Sequence, residues 1–300
     1  MPELPEVETI RNGLSRFVLN REINTFIIND KKLNLSLSGL KKLRGDSIIK
    51  IDRLGKMLIF SFKNNDLKLL VHLKMTGQLI FCLDDRKKSN GKPMTSTQVL
   101  VAGGHSSNKL TNISGDDLKY IRFQIIFSDA YRLVLNDARR FAYIKLVSPV
   151  VFSIIQKRFG LEPLSSDFSF KKLVSLIKKR YKKNIKAFLL DQSLIAGIGN
   201  IYADEIMFAS KINPYKKAGD LNLSKQRELY SNIKRILRLA VKKRGTTFNT
   251  YVDAQGHSGQ FIKLLKVYGR AGAKCYNCGR IIKKIKIAGR GTCYCPKCQI

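Results

Sequence analysis

Cys275-Tyr276-Asn277-Cys278 and Cys295-Pro296-Lys297-Cys298 are two Cys-x-x-Cys pairs, separated by sixteen residues near the end of the chain. This spacing suits a tetrahedral Zn²⁺ ion because each pair supplies two thiolates from one tight turn. Four cysteines close the coordination sphere, so the zinc is expected to be structural and to hold a zinc ribbon together. The alternative is a pair of redox dithiols, but the surrounding sequence lacks the βαβ pattern of thioredoxin-like proteins.

The segment between the two pairs is basic and contains one more cysteine. Cys293 alternates with Cys295 along a strand and therefore points to the opposite face, which predicts a packing thiol and not a ligand. The basic residues of this segment, which suit contacts with phosphate groups, are Lys283, Lys284, Lys286 and Arg290.

The whole chain is strongly basic. Its 300 residues include 56 Lys+Arg against 22 Asp+Glu, a formal net charge of +34, and 44% of them are hydrophobic. The hydrophobic content excludes a merely disordered basic tail, and the charge is unusual for an enzyme of small metabolites. A polyanionic partner is expected, either nucleic acid or an anionic membrane surface, unless a Lys-rich proteome inflates the charge.

Targeting signals are not evident. No run approaches the roughly 18–20 apolar residues that a membrane span requires. The first residues, MPELPEVE, have no basic n-region and no apolar h-region, which argues against a signal peptide. A cytosolic protein is therefore expected, in which cysteines serve as metal ligands or free thiols.

Hydrophobic patterning predicts a β-rich N-terminal region. Apolar runs broken by turn signals are typical of a sandwich, and they follow one helix whose apolar face runs from Val7 to Phe17. The segment 84–120 is rich in Gly, Ser, Thr, Asn and Lys and is expected to be a surface insertion. The runs predicted as strands are 23–28, 47–52, 56–62, 67–72, 123–127 and 131–135.

The second half of the chain is predicted to be helical. Apolar positions across 173–189 share one helix face. A second basic amphipathic helix is predicted over 224–243, with Ser224 as its N-cap. The expected domains are therefore 1–148, a hinge at 149–166, a helical module at 167–265 and a zinc finger at 266–300.

The opening MPELPEVE places carboxylates between prolines before the first predicted helix. A capped helix start explains part of this pattern, because Pro5 suits the first turn while Glu6 and Glu8 complement the helix dipole. That interpretation leaves Pro2 and Glu3 unexplained.

Together with the cysteine pairs, NDARRFA at 136–142 and AGIGNIYADE at 196–205, this N-terminus closely resembles that of bacterial formamidopyrimidine-DNA glycosylases, which remove 8-oxoguanine and ring-opened purines. The resemblance covers nearly the whole chain apart from 84–120. It implies an α+β fold with an N-terminal β-sandwich, a helix-two-turn-helix module and a C-terminal zinc ribbon holding one structural Zn²⁺. It also implies that Met1 is removed and that Pro2 becomes a nucleophilic secondary amine.

The implied chemistry suits an α-amino group. Its reference pKa of about 7.7–8.0 leaves roughly 10–15% unprotonated at pH 7, whereas a lysine amine near 10.4 is almost wholly protonated. Attack of Pro2 on the sugar C1′ gives a cationic Schiff base, an electron sink for breaking the neighbouring C–O bonds. The resemblance implies that Glu3 relays protons during these steps.

The resemblance also implies which residues contact DNA. Lys56 and Arg290 grip phosphates at the lesion and complete the catalytic set. Met75 and Phe141 are wedges beside the extruded base, and Arg139 hydrogen-bonds the estranged cytosine. The remaining positions implied to bind DNA are His72, Lys186, Asn200, Tyr202, Thr246 and Thr247.

Simpler interpretations exist for several of these residues. In them Lys56 is a solvent-facing strand lysine, His72 a structural histidine and Met75 a core residue. Likewise, residues 245–247 form a flexible linker instead of a cap over the flipped base. Ala142 departs from the family, which usually has glycine at this position.

The predicted function is a bifunctional DNA glycosylase and β,δ-lyase for oxidised purines, acting on duplex DNA as a monomer in the bacterial cytoplasm, at the nucleoid. An endonuclease VIII-type enzyme for oxidised pyrimidines is the alternative within the same chemistry. Leu4 and the linker Gly245-Thr246-Thr247 favour the purine branch. A non-catalytic zinc-ribbon nucleic-acid binder is the alternative from a different class.

Overall fold

The computed structural model divides the chain into two compact units. Unit 1 comprises residues 1–156 and 244–260, and unit 2 comprises residues 157–243 and 261–300. The residues that the structure describes are 1–83, 99–105, 120–246, 251–252 and 259–300. Within these ranges, no helix is long and apolar enough to cross a membrane.

Unit 1 begins with helix α1 (Leu4–Val18), whose own residues define its start. The backbone N–H of Glu3 donates to Glu6 Oε2 at 2.9 Å. Pro5 lies in the first turn, where its missing N–H removes no helical hydrogen bond. The predicted apolar face is confirmed, and its fully buried side chains are Val7, Ile10, Leu14 and Val18.

Two antiparallel sheets make up most of unit 1. The six-stranded sheet has the order β1-β7-β8-β5-β6-β10 and the four-stranded sheet the order β2-β3-β4-β9. The first contains β1 (Ile23–Ile28), β5 (Gln78–Leu83), β6 (Val99–His105), β7 (Ile121–Phe127), β8 (Tyr131–Asn136) and β10 (Tyr251–Val252). The second contains β2 (Ile48–Leu54), β3 (Met57–Phe62), β4 (Lys68–His72) and β9 (Tyr143–Val147). The short helices of this unit are α2 (Leu37–Lys41) and α3 (Pro149–Gln156).

The two sheets share one hydrophobic core with α1. Phe60 and Val71 of the four-stranded sheet line the same small apolar cavity as Leu79 and Leu133 of the six-stranded sheet. Side chains from two sheets that meet in one core define a β-sandwich. The predicted sandwich is therefore confirmed.

The strand pattern departs from the prediction around the expected insertion. Residues 99–105 form β6, which pairs with β5 in a register that sets Gln78 opposite Gly104. The apolar run of this segment is short and is followed by two glycines, so the pattern did not predict a strand. Pairing with β5 stabilises the strand in the folded protein. The remainder of the expected insertion, 84–98 and 106–119, lies outside the described residues.

The helices of unit 2 are α4 (Phe170–Lys179), α5 (Ile185–Leu190), α6 (Asn200–Ala209) and α7 (Leu223–Lys242). The predicted apolar face across 173–189 is interrupted, because Asn184 caps α5 by accepting the Lys186 N–H at 2.9 Å. The predicted N-cap of α7 was wrong. Asn222, and not Ser224, accepts the Lys225 N–H at 2.9 Å, since a cap must precede the first helical residue.

The C-terminal part of unit 2 is a zinc hairpin, defined as β11 (Lys283–Ile287), β12 (Arg290–Tyr294) and the turn between them. Ala288 and Gly289 form this two-residue turn with φ angles of 49° and 72°. Positive φ at both central positions is the mark of a type I′ turn, which matches the twist of paired strands.

Candidate active site and nucleic-acid interface

A buried carboxylate, Glu6, organises the N-terminal cluster of unit 1, defined as the buried residues Pro2, Glu3, Glu6, Lys56 and Thr246. Its Oε2 accepts the Glu3 N–H, while its Oε1 accepts the Thr246 N–H at 2.7 Å and the Thr246 hydroxyl at 3.0 Å. A Cβ on Gly245 would lie 2.7 Å from Glu6 Oε1, so only glycine permits this approach. Glu6 thus joins the start of α1 to the linker, and the described part of that linker is not merely a flexible loop. Thr247 lies outside the described residues.

The N-terminal amine lies in an environment that favours its neutral form. Burial lowers the pKa of the Met1 amine below its ordinary value of 8.0, and the positive charges of Lys56 and Arg139 lower it further, against the opposing charges of Glu3 and Glu6. Pro2 and Glu3 are both buried in the same segment. A neutral amine beside a carboxylate can act as a nucleophile with a nearby proton acceptor.

Lys56 occupies the turn between β2 and β3 and is only 8% exposed. Gly55 precedes it with φ of 57°, and its carbonyl accepts from Arg53 Nη1 at 2.8 Å. The turn therefore directs the lysine into the protein, toward the charges around the amine. This contradicts the interpretation of Lys56 as a solvent-facing strand lysine.

His72 ends β4 and is held as a neutral imidazole. Its Nδ1 accepts the Lys74 N–H at 3.0 Å, and its ring stacks on Tyr143 with centroids 5.3 Å apart. Burial, with the charges of Lys74 and Lys56, lowers the pKa of His72 to about 4. The accepting Nδ1 leaves Nε2 as the protonated, donating nitrogen.

The two predicted wedge residues protrude from unit 1. Met75 is 44% exposed and Phe141 is 53% exposed, so the simpler interpretation of Met75 as a core residue is wrong. Arg139 lies with its guanidinium 5.7 Å from the centre of the Phe141 ring. Exposed apolar side chains beside a guanidinium are the elements with which proteins separate stacked bases.

Asp137, which is fully buried, orders both wedge loops. Its Oδ1 accepts the Thr76 hydroxyl and its Oδ2 accepts the Ala142 N–H at 2.7 Å. Arg140 takes the strained φ of 57°, whereas Ala142 is not among the residues with positive φ. The alanine is therefore compatible with the loop in this chain.

In unit 2, Asn200 and Arg290 are brought together by the zinc hairpin. Gly199 caps α6, so Asn200 is the first helical residue, and its Nδ2 donates to the Gly291 carbonyl at 3.1 Å. Arg290 directly precedes Gly291 and is exposed. A helix N-terminus with an amide side chain and a nearby guanidinium suits a phosphate group.

Two predicted contacts do not reach the surface. Tyr202 is fully buried, because α6 turns it inward against the Phe261 ring, with centroids 5.5 Å apart. Lys186 is also fully buried and forms an ion pair of 2.8 Å with Asp204. Neither side chain is available to touch DNA directly, so both assignments as direct contacts are corrected.

The four predicted cysteine ligands converge. The Sγ atoms of Cys275, Cys278, Cys295 and Cys298 lie within 4.8 Å of one another. Zinc–sulfur bonds of about 2.3 Å in a tetrahedron require sulfurs about 3.8 Å apart, which this quartet can meet. The donor set therefore fits one structural Zn²⁺. Cys293 is buried in the apolar cluster that also contains Cys275 and Cys295, but its Sγ is not part of the quartet, which agrees with its predicted role as a packing thiol.

Sequence reasoning missed three organising carboxylates, Glu6, Asp137 and Asp204. All three belong to motifs already singled out: Glu6 to MPELPEVE, Asp137 to NDARRFA and Asp204 to AGIGNIYADE. The motifs therefore gave a signal without revealing the roles, because only the folded chain shows which groups lie beside each carboxylate.

Comparison with protein families matches the whole organisation of the chain. The formamidopyrimidine-DNA glycosylase N-terminal domain matches residues 1–144 and the H2TH domain of the same enzymes matches residues 159–252. The zinc finger found in FPG and IleRS matches residues 272–300.

Individual relatives match along their full length. The formamidopyrimidine-DNA glycosylases of Lactobacillus gasseri and Ureaplasma parvum are each 37% identical over all of this chain, and 99% and 100% of those proteins are covered. Wild-type Lactococcus lactis Fpg (MutM), solved in complex with DNA containing N7-benzyl-Fapy-dG, is 33% identical with a TM-score of 0.80 over 99% of each chain. The sequence and the fold agree: this chain belongs to the formamidopyrimidine-DNA glycosylase family.

Proposed function

We propose that this protein is a bifunctional DNA glycosylase and lyase that excises oxidised purines. The observation that carries the proposal is the N-terminal cluster, in which Pro2 and Glu3 are buried and burial, together with the charge of Lys56, lowers the pKa of the terminal amine that Met1 bears. Removal of Met1 would place the amine of Pro2 in this environment, where it would act as a nucleophile at neutral pH. The non-catalytic alternative gives no reason for burying Pro2 with two carboxylates.

In the proposed reaction, removal of Met1 makes Pro2 the nucleophile. Its nitrogen attacks the sugar C1′ while the bond from C1′ to the base breaks, and ring opening leaves a cationic Schiff base. This iminium withdraws electrons, so β- and δ-elimination break the C–O bonds on either side of the sugar. Glu3 accepts and returns the protons, and zinc takes no part in these steps.

Both units contribute to the proposed grip on DNA. Lys56 in unit 1, with Asn200 and Arg290 in unit 2, binds phosphates, and His72 donates from Nε2. Met75 and Phe141 are the side chains most suited to enter the space left by the flipped base, because apolar groups this exposed are costly in water. Arg139 hydrogen-bonds the base left opposite.

Specificity for purines is proposed from the linker. Glu6 holds Gly245 and Thr246 against α1, so a capping segment here would be anchored at a defined distance from the amine. The Lactococcus lactis relative was solved with a formamidopyrimidine lesion and also with an oxidised pyrimidine, so the proposed preference for purines rests on the linker.

We further propose a duplex DNA partner, a monomeric protein, and action at the nucleoid in the bacterial cytoplasm, where such DNA is found. The domains proposed from the sequence, 1–148, 167–265 and 266–300 with a hinge at 149–166, would then supply the chemistry, the phosphate contacts and the zinc hairpin.

Borohydride trapping tests the proposal. The mature protein should form a covalent adduct with duplex DNA containing 8-oxoguanine opposite cytosine, because borohydride reduces the Schiff base to a stable amine. Pro2→Gly, which replaces the secondary amine, should reduce the yield by about 100-fold or more. Glu8→Gln is the matched control, since Glu8 lies on α1 paired with Arg11 and Arg53.

The absence of an adduct with wild-type protein of verified N-terminus would favour the non-catalytic binder. Faster trapping on thymine-glycol duplex than on 8-oxoguanine duplex would favour the endonuclease VIII-type alternative. Either result refutes the proposed function.

A further inference from the structure

The buried charge of Lys186 has an unusual set of partners. Its Nζ lies 2.8 Å from Asp204 Oδ1, and it donates to the Gly291 carbonyl at 2.9 Å and to Thr292 Oγ1 at 2.7 Å. Lys186, Asp204 and Thr292 are all fully buried. A buried lysine is costly unless its charge is paired and its protons are used, and here both conditions are met inside the protein.

The same cluster reaches three consecutive residues of β12. Lys186 contacts Gly291 and Thr292, while Asp204 Oδ2 accepts the Cys293 N–H at 2.9 Å. From the first turn of α6, Asn200 adds its hydrogen bond to the Gly291 carbonyl. Helices α5 and α6 thereby hold the strand at the point where Arg290 emerges.

This attachment is distinct from the zinc quartet. The four cysteines join the residues before β11 to the residues after β12. Lys186 and Asp204 instead attach the end of β12 nearest the turn to α5 and α6. Two attachments fix both the position and the direction of a short strand, and a guanidinium must be positioned within about 0.5 Å to bind one phosphate productively.

We propose that Lys186 is a positioning residue, which with Asp204 and Thr292 sets the distance between Arg290 and Asn200 so that both bind the DNA backbone. The inference rests on the proposed function, because it requires Arg290 to be a phosphate contact. It differs from a direct contact of Lys186 with the lesion, since the lysine acts only through Arg290.

A double-mutant cycle tests this role. Lys186→Met should weaken binding to a duplex with a tetrahydrofuran abasic analogue by about tenfold and reduce the salt slope by about one. In an Arg290→Ala background the same change should weaken binding by less than about twofold and leave the slope unaltered, because the group that it positions is gone. Lys178→Met, which removes one exposed charge from α4, should have the same effect in both backgrounds.

If the effects of Lys186→Met and Arg290→Ala on binding are additive, and each substitution separately reduces the salt slope, then Lys186 contacts a phosphate directly. That result would overturn the proposal. If Arg290→Ala alone leaves binding unchanged, the phosphate role of Arg290 fails, and the positioning role fails with it. If Arg290→Ala weakens binding and its effect is still additive with that of Lys186→Met, the positioning role of Lys186 fails while the phosphate role of Arg290 stands.

A second variant covers the case in which Lys186→Met does not fold, as judged by its zinc content and thermal midpoint. Thr292→Val keeps the shape of the side chain and the Lys186–Asp204 pair but removes the hydroxyl that accepts from Lys186. It should weaken binding by about threefold in the wild-type background and have no effect with Arg290→Ala. Equal effects in both backgrounds would overturn the proposal.

Discussion

Both units bury ionisable groups, but burial serves different ends in the N-terminal cluster and beside the zinc hairpin. In the N-terminal cluster, burial and the charge of Lys56 lower the pKa of the terminal amine and so favour its neutral form. Beside the hairpin, Lys186 and Asp204 satisfy one another and β12. Burial raises the pKa of Asp204 to about 6 even with the lysine alongside.

The difference shows that a buried, perturbed charge does not by itself identify a residue that touches substrate. Perturbed ionisable groups mark reactive sites and structural ion pairs alike. What separates the two regions is where the partners lie. Of the groups proposed to meet DNA in unit 2, Arg290 is exposed and Asn200 is half-buried, whereas the partners of Lys186 and Asp204 lie inside the protein.

The largest expected effect comes from removing zinc. Chelation, or Cys295→Ser, should abolish DNA incision because the zinc hairpin loses the ion that folds it. None of the four cysteines belongs to the N-terminal cluster, so the Thr246 amide should keep its protection from hydrogen exchange. Cys293→Ala, which removes a buried thiol outside the quartet, should retain zinc and activity. Loss of protection at Thr246 on chelation would show that the two regions do not fold independently.

A smaller effect is expected inside the N-terminal cluster. Glu6→Gln leaves one accepting oxygen where Glu6 has two, so the side chain can no longer accept from both Glu3 and Thr246, and the anchor between the linker and α1 is lost. Excision of 8-oxoguanine should fall by about 100-fold. Cleavage at a preformed abasic site, which needs the amine and no base cap, should fall by less than about fivefold. Single-turnover rates on the two substrates measure this difference, with Glu8→Gln as the control. Equal losses on both substrates would mean that Glu6 serves the amine and not the linker.

How well the sequence predicts these regions depends on how far apart along the chain the interacting residues lie. The cysteine quartet was predictable because two local pairs with suitable spacing already specify tetrahedral ligands. Six strands between Ile23–Ile28 and Tyr131–Asn136 followed from short apolar runs, whereas Gln78–Leu83, Val99–His105 and Tyr143–Val147 were not predicted. Pairing of Glu6 with Thr246 was not predictable, since 240 residues separate the two.

Lys186 shows that the burial of a side chain is also difficult to predict from the local sequence. It lies in KKNIK, a run of cations with the appearance of a solvated face. Only the placement of α5 beside α6 and β12 buries it. A resemblance transfers the position of such a residue, but its exposure depends on tertiary packing. The same holds for Tyr202, which lies in a motif shared with the family but has a buried side chain in the folded chain.

The smallest effect concerns His72, a half-buried and uncharged side chain of unit 1, which contrasts with the paired charges of Lys186 and Asp204 in unit 2. Its pKa is about 4 in the folded protein, chiefly through burial, against an ordinary value of 6.5. Below pH 6.5 the unfolded chain therefore binds a proton that the folded chain does not, and stability falls until pH 4. Allowing for partial solvent access, the unfolding free energy should drop by about 2 kcal/mol more over this range than in His72→Gln.

Urea unfolding at a series of pH values measures the drop, and His257→Gln controls for the loss of a histidine. Parallel curves for wild type and His72→Gln would mean that the imidazole titrates near its ordinary value in the folded protein, and the proposed Nε2 donor would then become part of a cation as the pH falls below 6.5.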